Sequence, residues 1–223
     1  VLDKQKYPLM IERFAALALA KNTALPETLP YPKLSIDDGE RQQALQKYAL
    51  NLQKSVLALC PGAEFGPAKR WPEQHYAAVA SARIETGEQV WIFGSHNDAA
   101  VAEAIRAALP ENQQENCINL AGKTTLAEAI DLLSCASAVV SNDSGLMHIA
   151  AALQRPLVAV YGSSSPQFTP PLSRDVEIVR LGIACSPCFQ RECPLGHLQC
   201  LKDLPPKQVL TALDKLPRPV VMT

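Results

Sequence analysis

Two short stretches, well apart in the chain, hold the residues best suited to chemistry. One is Ser141-Asn142-Asp143-Ser144-Gly145-Leu146-Met147-His148. An apolar run at 138–141 passes here through a small polar turn into a segment whose Leu, Ile and Ala recur with helical spacing. A strand feeding a helix this way aims unpaired N–H groups and the positive dipole end at whatever lies over the turn, and a phosphate is the natural occupant. An Asp or Ser N-cap with no ligand is the plainer alternative. Beside an anion, the Asp143 carboxylate needs a reason: it either takes hydrogen bonds from a sugar or caps the helix. Leu146 and Met147 read as core or pocket wall, and His148 reads as packed against the sheet.

The second stretch is Pro61-Gly62-Ala63-Glu64-Phe65-Gly66-Pro67-Ala68-Lys69-Arg70-Trp71-Pro72. Glycines and prolines stiffen this loop, which carries two adjacent cations. Lys69 or Arg70 can neutralise a diphosphate, more strongly if water is excluded. The alternative is a solvated basic pair, with Arg70 stacked on Trp71. Neither GxGxxG nor GxxxxGK[ST] occurs, so the usual dinucleotide and P-loop phosphate grips are missing.

The elements that must position these residues follow from the periodicity. An amphipathic helix is expected from Pro8 to near Asn22. A proline-rich stretch at 25–32 reads as a linker. Ser35, with Asp38 three residues on, opens a polar helix to about Leu50. Strands are expected at 55–59, 89–93, 117–120, 138–141, 157–161 and 176–181. Between them lie helices at 72–86, closed by Gly87, at 98–109, and from a Thr125/Glu128 capping box to about Ala136. Strands alternating with helices of this length mean an α/β fold with a parallel, doubly wound sheet. Ligands in such sheets sit outside the carboxyl ends of the strands. Gly62-Ala63, Gly94-Ser95, Asp143-Ser144-Gly145 and Gly162-Ser163-Ser164-Ser165 all fall there, as does Lys123-Thr124-Thr125, whose hydroxyls bind ligand or merely cap. The domain boundary is placed within 24–53. Residues 54–204 form the nucleotide-binding domain and 205–223 a C-terminal helix and tail.

The totals narrow the function classes. The chain of 223 residues is 48% hydrophobic with a net charge of −1, and no basic run suggests a nucleic-acid partner. No apolar stretch approaches the roughly 20 residues that span a bilayer, and no signal-peptide pattern opens the chain. It begins at Val1 and reads as a piece of a longer enzyme; with no secretion signal, a reduced, cytoplasmic setting is expected for its cysteines. Cys60, Cys117 and Cys135 read as buried thiols. Cys185, Cys188, Cys193 and Cys200 form C-x2-C-x4-C-x6-C. This pattern leaves open a structural zinc with His197 as substitute ligand, disulfides, or free thiols.

The 60–72 stretch, the 141–148 stretch and Tyr161-Gly162-Ser163-Ser164-Ser165-Pro166 together resemble the ADP-heptose:lipopolysaccharide heptosyltransferases, glycosyltransferase family 9. The resemblance runs over the whole chain, and the Cys185–Cys200 pattern is similar to one found in many members. It implies the GT-B architecture, two Rossmann-like domains facing across a cleft, of which this chain holds mainly the C-terminal, donor-binding one. Residues 1–53 would then be the tail of the N-terminal acceptor domain with its linker. By the same resemblance Lys69 meets the donor phosphates, Asp143 the heptose, and the Ser144 and Gly145 amides the diphosphate, with Ser95 and Thr124 near the nucleotide. Gly62, Ala63, Arg70 and Leu146 complete the expected donor site. It further implies inversion at the sugar, no required cofactor or divalent metal, ADP-heptose as donor and a lipid-linked inner-core acceptor. Membrane contact would come only through that acceptor, at the inner face of the inner membrane. The family's general-base Asp sits in an N-terminal loop that nothing before Lys54 resembles, so the isolated chain is expected to bind donor without turnover. A transferase or epimerase using UDP- or GDP-sugars on the same architecture is the alternative.

Overall fold

The computed structural model describes residues 3, 5–20 and 23–217. Strands β1 (Val56–Cys60), β2 (Gln89–Ile92), β3 (Cys117–Asn119), β4 (Ala138–Asn142), β5 (Leu157–Val160) and β6 (Val176–Val179) make one sheet in the order β3-β2-β1-β4-β5-β6, parallel throughout. The order reverses at β1, where Leu57 pairs with Val90 on one side and Ala138 on the other. That crevice between β1 and β4 is where a doubly wound sheet takes its ligand.

Both faces of the sheet are covered, so the central strands are unbroken apolar runs. Every residue of β1 is at most 1% exposed. Alternation sends Leu57, Leu59, Val90, Ile92, Val140, Val158 and Val160 to one face and Val56, Ala58, Cys60, Trp91, Val139, Leu157 and Ala159 to the other. The first face is roofed by α3 (Glu73–Glu85), α4 (Ala99–Ala107) and α8 (Pro206–Lys215), through Tyr76, Val79, Ala102, Ile105, Val209 and Leu213. The second is roofed by α2 (Asp38–Lys47), α5 (Leu126–Leu133) and α6 (Gly145–Ala152), through Ala44, Leu45, Leu132, Leu133, Met147 and Ala150. Lys47 and the Tyr48 hydroxyl both reach Glu128 of α5, at 2.5 and 2.9 Å, and fasten α2 to this layer.

Most expected elements are present, with ends moved by their caps. The polar helix starts at Asp38 rather than at Ser35, because the Asp37 carboxylate accepts from the N–H groups of Gly39 and Glu40 and forms the cap. The Thr125/Glu128 capping box is present as read, the Thr125 hydroxyl accepting from Glu128 N–H. Gly87 follows α3 at φ +91°, a left-handed closing position that suits glycine. Helix α1 (Met10–Ala18) ends before the expected Asn22, which lies outside the described residues together with the tail at 218–223. The α1 N-terminus meets the body where Met10 N–H donates to Phe168 C=O at 3.0 Å and Arg13 lies over the Phe168 ring. A short helix, α7 (Gln199–Lys202), closes the cysteine-rich segment.

Candidate functional site

The site grows from the end of β4. Asn142 is its last residue; Asp143 follows, and Ser144 caps α6 in extended backbone at φ −147°. On the other side of the crevice the loop after β1 makes one turn of 3-10 helix, Pro67–Lys69, which turns Lys69 back toward β4. The Lys69 ammonium lies 2.6 Å from an Asp143 carboxylate oxygen, with the two side chains 17% and 4% exposed. A carboxylate this buried needs its partner, since an uncompensated buried charge is strongly unfavourable. The pair stands at the N-terminus of α6, whose first residue, Gly145, is exposed and would meet nothing within 4 Å if it bore a Cβ.

Next to this pair a cavity of about 330 Å³ opens over the carboxyl ends of β1, β2 and β4. It is lined by Gly62, Ala63, Glu64, Gly94, Ser95, Asp98, Thr124, Thr125, Leu126, Ala129, Ser144, Gly145 and Leu146. The structure thus gathers Gly62, Ala63, Ser95, Thr124, Ser144, Gly145 and Leu146 from the sequence reading into one wall. Lys69 and Asp143 border it through Ser144, and Arg70 approaches it through Asp98. Arg70 does not simply stack on Trp71: its guanidinium forms an ion pair with Asp98 at 3.6 Å.

Asp98, which in the sequence reads only as a helix start, is a wall residue of the cavity. It is 7% exposed, and one carboxylate oxygen accepts from both Ser95 N–H and the Ser95 hydroxyl, at 2.9 and 2.7 Å. A Cβ on Gly62 would stand 2.5 Å from that carboxylate, and one on Gly94 would stand 2.7 Å from the Asp98 Cβ. Both rim glycines are therefore dictated by Asp98, whereas Gly145 is dictated by nothing in the protein.

Two expectations need correction. Gly162-Ser163-Ser164-Ser165 does not join this cavity. Gly162 is a glycine because α7 lies on it, a Cβ there falling 2.5 Å from Leu201 Cγ. The serines are buried against the loop and the cysteine segment, Ser163 N–H donating to Ala68 C=O and Phe189 N–H to Ser163 C=O. His148 is exposed rather than packed on the sheet, because α6 turns that position outward while Met147 and Ala150 face the core. Desolvation holds its pKa below the usual histidine value, opposed by the Asp143 carboxylate. The sequence leaves the clustered cysteines open between zinc, disulfides and free thiols, and they are in the last of these states. Cys185, Cys188, Cys193 and Cys200 are all free thiols around a cavity of about 20 Å³ with His197. Among the described residues no three His, Cys, Asp or Glu side chains converge tightly enough to hold a metal ion, so the zinc reading has no support.

The segment nevertheless bears on the site. Arg191 C=O accepts from Ala68 N–H at 3.1 Å, next to Lys69, and would clash with any side chain on Gly66. Lys69 and Arg191 both lie over the Phe65 ring, at 5.0 and 5.7 Å. The excursion after β6 thus forms the outer wall of the Lys69 loop.

A six-stranded parallel sheet with a glycine-rimmed cavity at its switch point defines a Rossmann-like α/β domain. More narrowly, the chain belongs to glycosyltransferase family 9 (heptosyltransferase), whose sequence profile matches residues 1–199. It is 47% identical to lipopolysaccharide heptosyltransferase 2 of Escherichia coli (strain K12), over 97% of this chain and 64% of that protein. It is 46% identical to lipooligosaccharide heptosyltransferase 2 of Haemophilus influenzae, over 96% of this chain and 64% of that one. The solved E. coli ADP-heptose lps heptosyltransferase II superposes with a TM-score of 0.86 at 46% identity, covering 96% of this chain and 63% of that chain. An E. coli heptosyltransferase solved with ADP, at 20% identity and a TM-score of 0.58, shares the fold. The chain spans about 64% of the length of the curated relatives it matches. The expected α/β, GT-B-type fold class holds for the described residues.

Proposed function

We propose that this chain is the donor-binding part of an inverting glycosyltransferase that moves L-glycero-D-manno-heptose from ADP-heptose to the heptosyl-Kdo2-lipid A inner core of lipopolysaccharide. The observation that carries the reading is the Lys69–Asp143 pair at the open N-terminus of α6, beside the cavity. The diphosphate would lie over Ser144 and Gly145, taking the free α6 N–H groups. Lys69 would then exchange Asp143 for phosphate and neutralise the charge that grows on ADP as the C1–O bond breaks. Asp143, released from Lys69, would accept hydrogen bonds from the heptose hydroxyls. The nucleoside would fill the cavity between Ser95 and Thr124. The attacking hydroxyl belongs to the acceptor, and its proton leaves to a base outside this site. Charge handling by Lys69 and a helix N-terminus makes the reaction one without a required cofactor or metal.

The same reading assigns 54–204 to the donor domain, 205–223 to a C-terminal helix and tail, and 1–53 to the acceptor-domain tail and linker, with α2 and α8 from the flanking segments packed on the donor sheet. Among the described residues no helix is long and apolar enough to cross a membrane. Contact with the cytoplasmic face of the inner membrane would come through the lipid-linked acceptor. Titration of Asp143→Asn with ADP and with ADP-heptose tests the assignment. The sugar-dependent gain in affinity should vanish while ADP binding persists. An undiminished ADP-heptose preference would remove Asp143 from the sugar.

A further inference from the structure

Asn142 stands one residue before Asp143 and has no part in the donor contacts above. It is wholly buried, at 0% exposed. Alternation along β4 turns it to the face of Val140, toward Trp71 and Tyr76, while the chain beyond it rises to Asp143 and the cavity. Its Oδ1 accepts from Trp71 N–H at 3.2 Å and from the Tyr76 hydroxyl at 3.0 Å. Its Nδ2 donates to Pro61 C=O at 2.6 Å. Pro61 and Trp71 are the two ends of the loop that carries Lys69.

From this geometry we infer that Asn142 is a positioning residue that clamps both ends of the Lys69 loop and so sets the lysine at Asp143 and the donor diphosphate, an inference resting on the donor reading above. The loop between its ends holds only one turn of 3-10 helix, so its path depends on where it is pinned. An amide is the side chain that fits, because it accepts from an N–H and donates to a C=O at the same time. A carboxylate would keep the accepted bonds but face the Pro61 carbonyl with a negative charge, next to Asp143. An apolar residue would leave the Trp71 N–H, the Tyr76 hydroxyl and the Pro61 carbonyl buried without partners. Consecutive residues of one strand end thus grip the same loop, Asn142 at its ends and Asp143 at Lys69.

The test compares Asn142→Ala with a destabilised control on the opposite face of the sheet, Leu132→Ala, in the 223-residue chain. Amide hydrogen exchange of residues 62–71 should quicken about tenfold or more in Asn142→Ala over the control, because local opening replaces a pinned loop. Should Asn142→Ala not fold, Tyr76→Phe removes one bond of the clamp, and about threefold faster loop exchange is expected from it. Loop exchange equal to the control's, in whichever variant folds, overturns the clamp. ADP titration gives the second readout. Asn142→Ala should lose about tenfold in affinity, and adding it to Lys69→Ala should cost less than about twofold more, since both act through one ammonium. Additive losses would reduce Asn142 to an ordinary core residue. A parent chain that binds no ADP defeats the donor reading instead, and the exchange result still decides the clamp.

Discussion

Gly62 and Gly94 on one side of the cavity and Gly145 on the other are glycines for opposite reasons. On the β1–β2 side a Cβ would collide with Asp98, which Ser95 holds in place by two hydrogen bonds. On the β4 side a Cβ on Gly145 would enter open space. The first pair is demanded by how the protein packs against itself. The second keeps clear the approach to a row of free helix N–H groups, which is what a ligand needs. A glycine at a strand end is therefore informative about binding only once its neighbours are known.

The largest effect expected from breaking this contrast is at Gly62. Gly62→Ala must displace the Asp98 carboxylate from Ser95 and should destabilise the fold by about 2–3 kcal/mol, read as a lowered Tm. Asp98→Ala in the same chain should recover much of it by opening the space. Gly145→Ala should leave Tm unchanged or slightly raised, by up to about 1 kcal/mol of helix propensity, while weakening ADP binding. A Tm loss at Gly145 as large as that at Gly62 would erase the distinction.

Removal of one partner from the Lys69–Asp143 pair comes next. Lys69→Ala strands a carboxylate that is 5% exposed and should destabilise by about 2 kcal/mol, less than a fully buried pair because Lys69 keeps some solvent. Adding Asp143→Asn should restore most of that stability but not ADP affinity. Recovery of both would make the pair purely structural.

The smallest effect belongs to the edge of the molecule. Glu128 has its pKa lowered to about 2, first by the Lys47 hydrogen bond and then by Thr125 N–H and the Tyr48 hydroxyl. A depressed carboxylate pKa stabilises the fold fully above the unfolded value of about 4.3 and is lost as pH falls through the folded one. Glu128→Gln should thus cost about 1 kcal/mol or less at pH 7, with the difference from the parent shrinking between about pH 4.3 and pH 2. A difference that stays constant across that window would detach the carboxylate charge from the anchoring of α2.

What the sequence made legible was what depends on near neighbours. The apolar runs became strands, Thr125 and Glu128 their capping box, and the small-residue strand ends a rim. The unread parts depend on contacts between residues far apart in the chain. Asp98 looks like a helix start until Gly62 is folded onto it, and Asn142 looks like a turn residue until Pro61 and Trp71 flank it. Gly162 groups with the rim in the sequence because nothing local reveals Leu201 lying on it. Helical spacing alone sets His148 against the sheet, because spacing fixes a face but not what that face meets, and the structure leaves it exposed.

The most direct measurement is calorimetric titration of the chain with ADP, UDP and GDP, repeated on Lys69→Ala. Saturable binding that prefers ADP and weakens about tenfold or more without the lysine is expected. Equal affinity for all three nucleotides, or ADP binding untouched by Lys69→Ala, would contradict the donor reading.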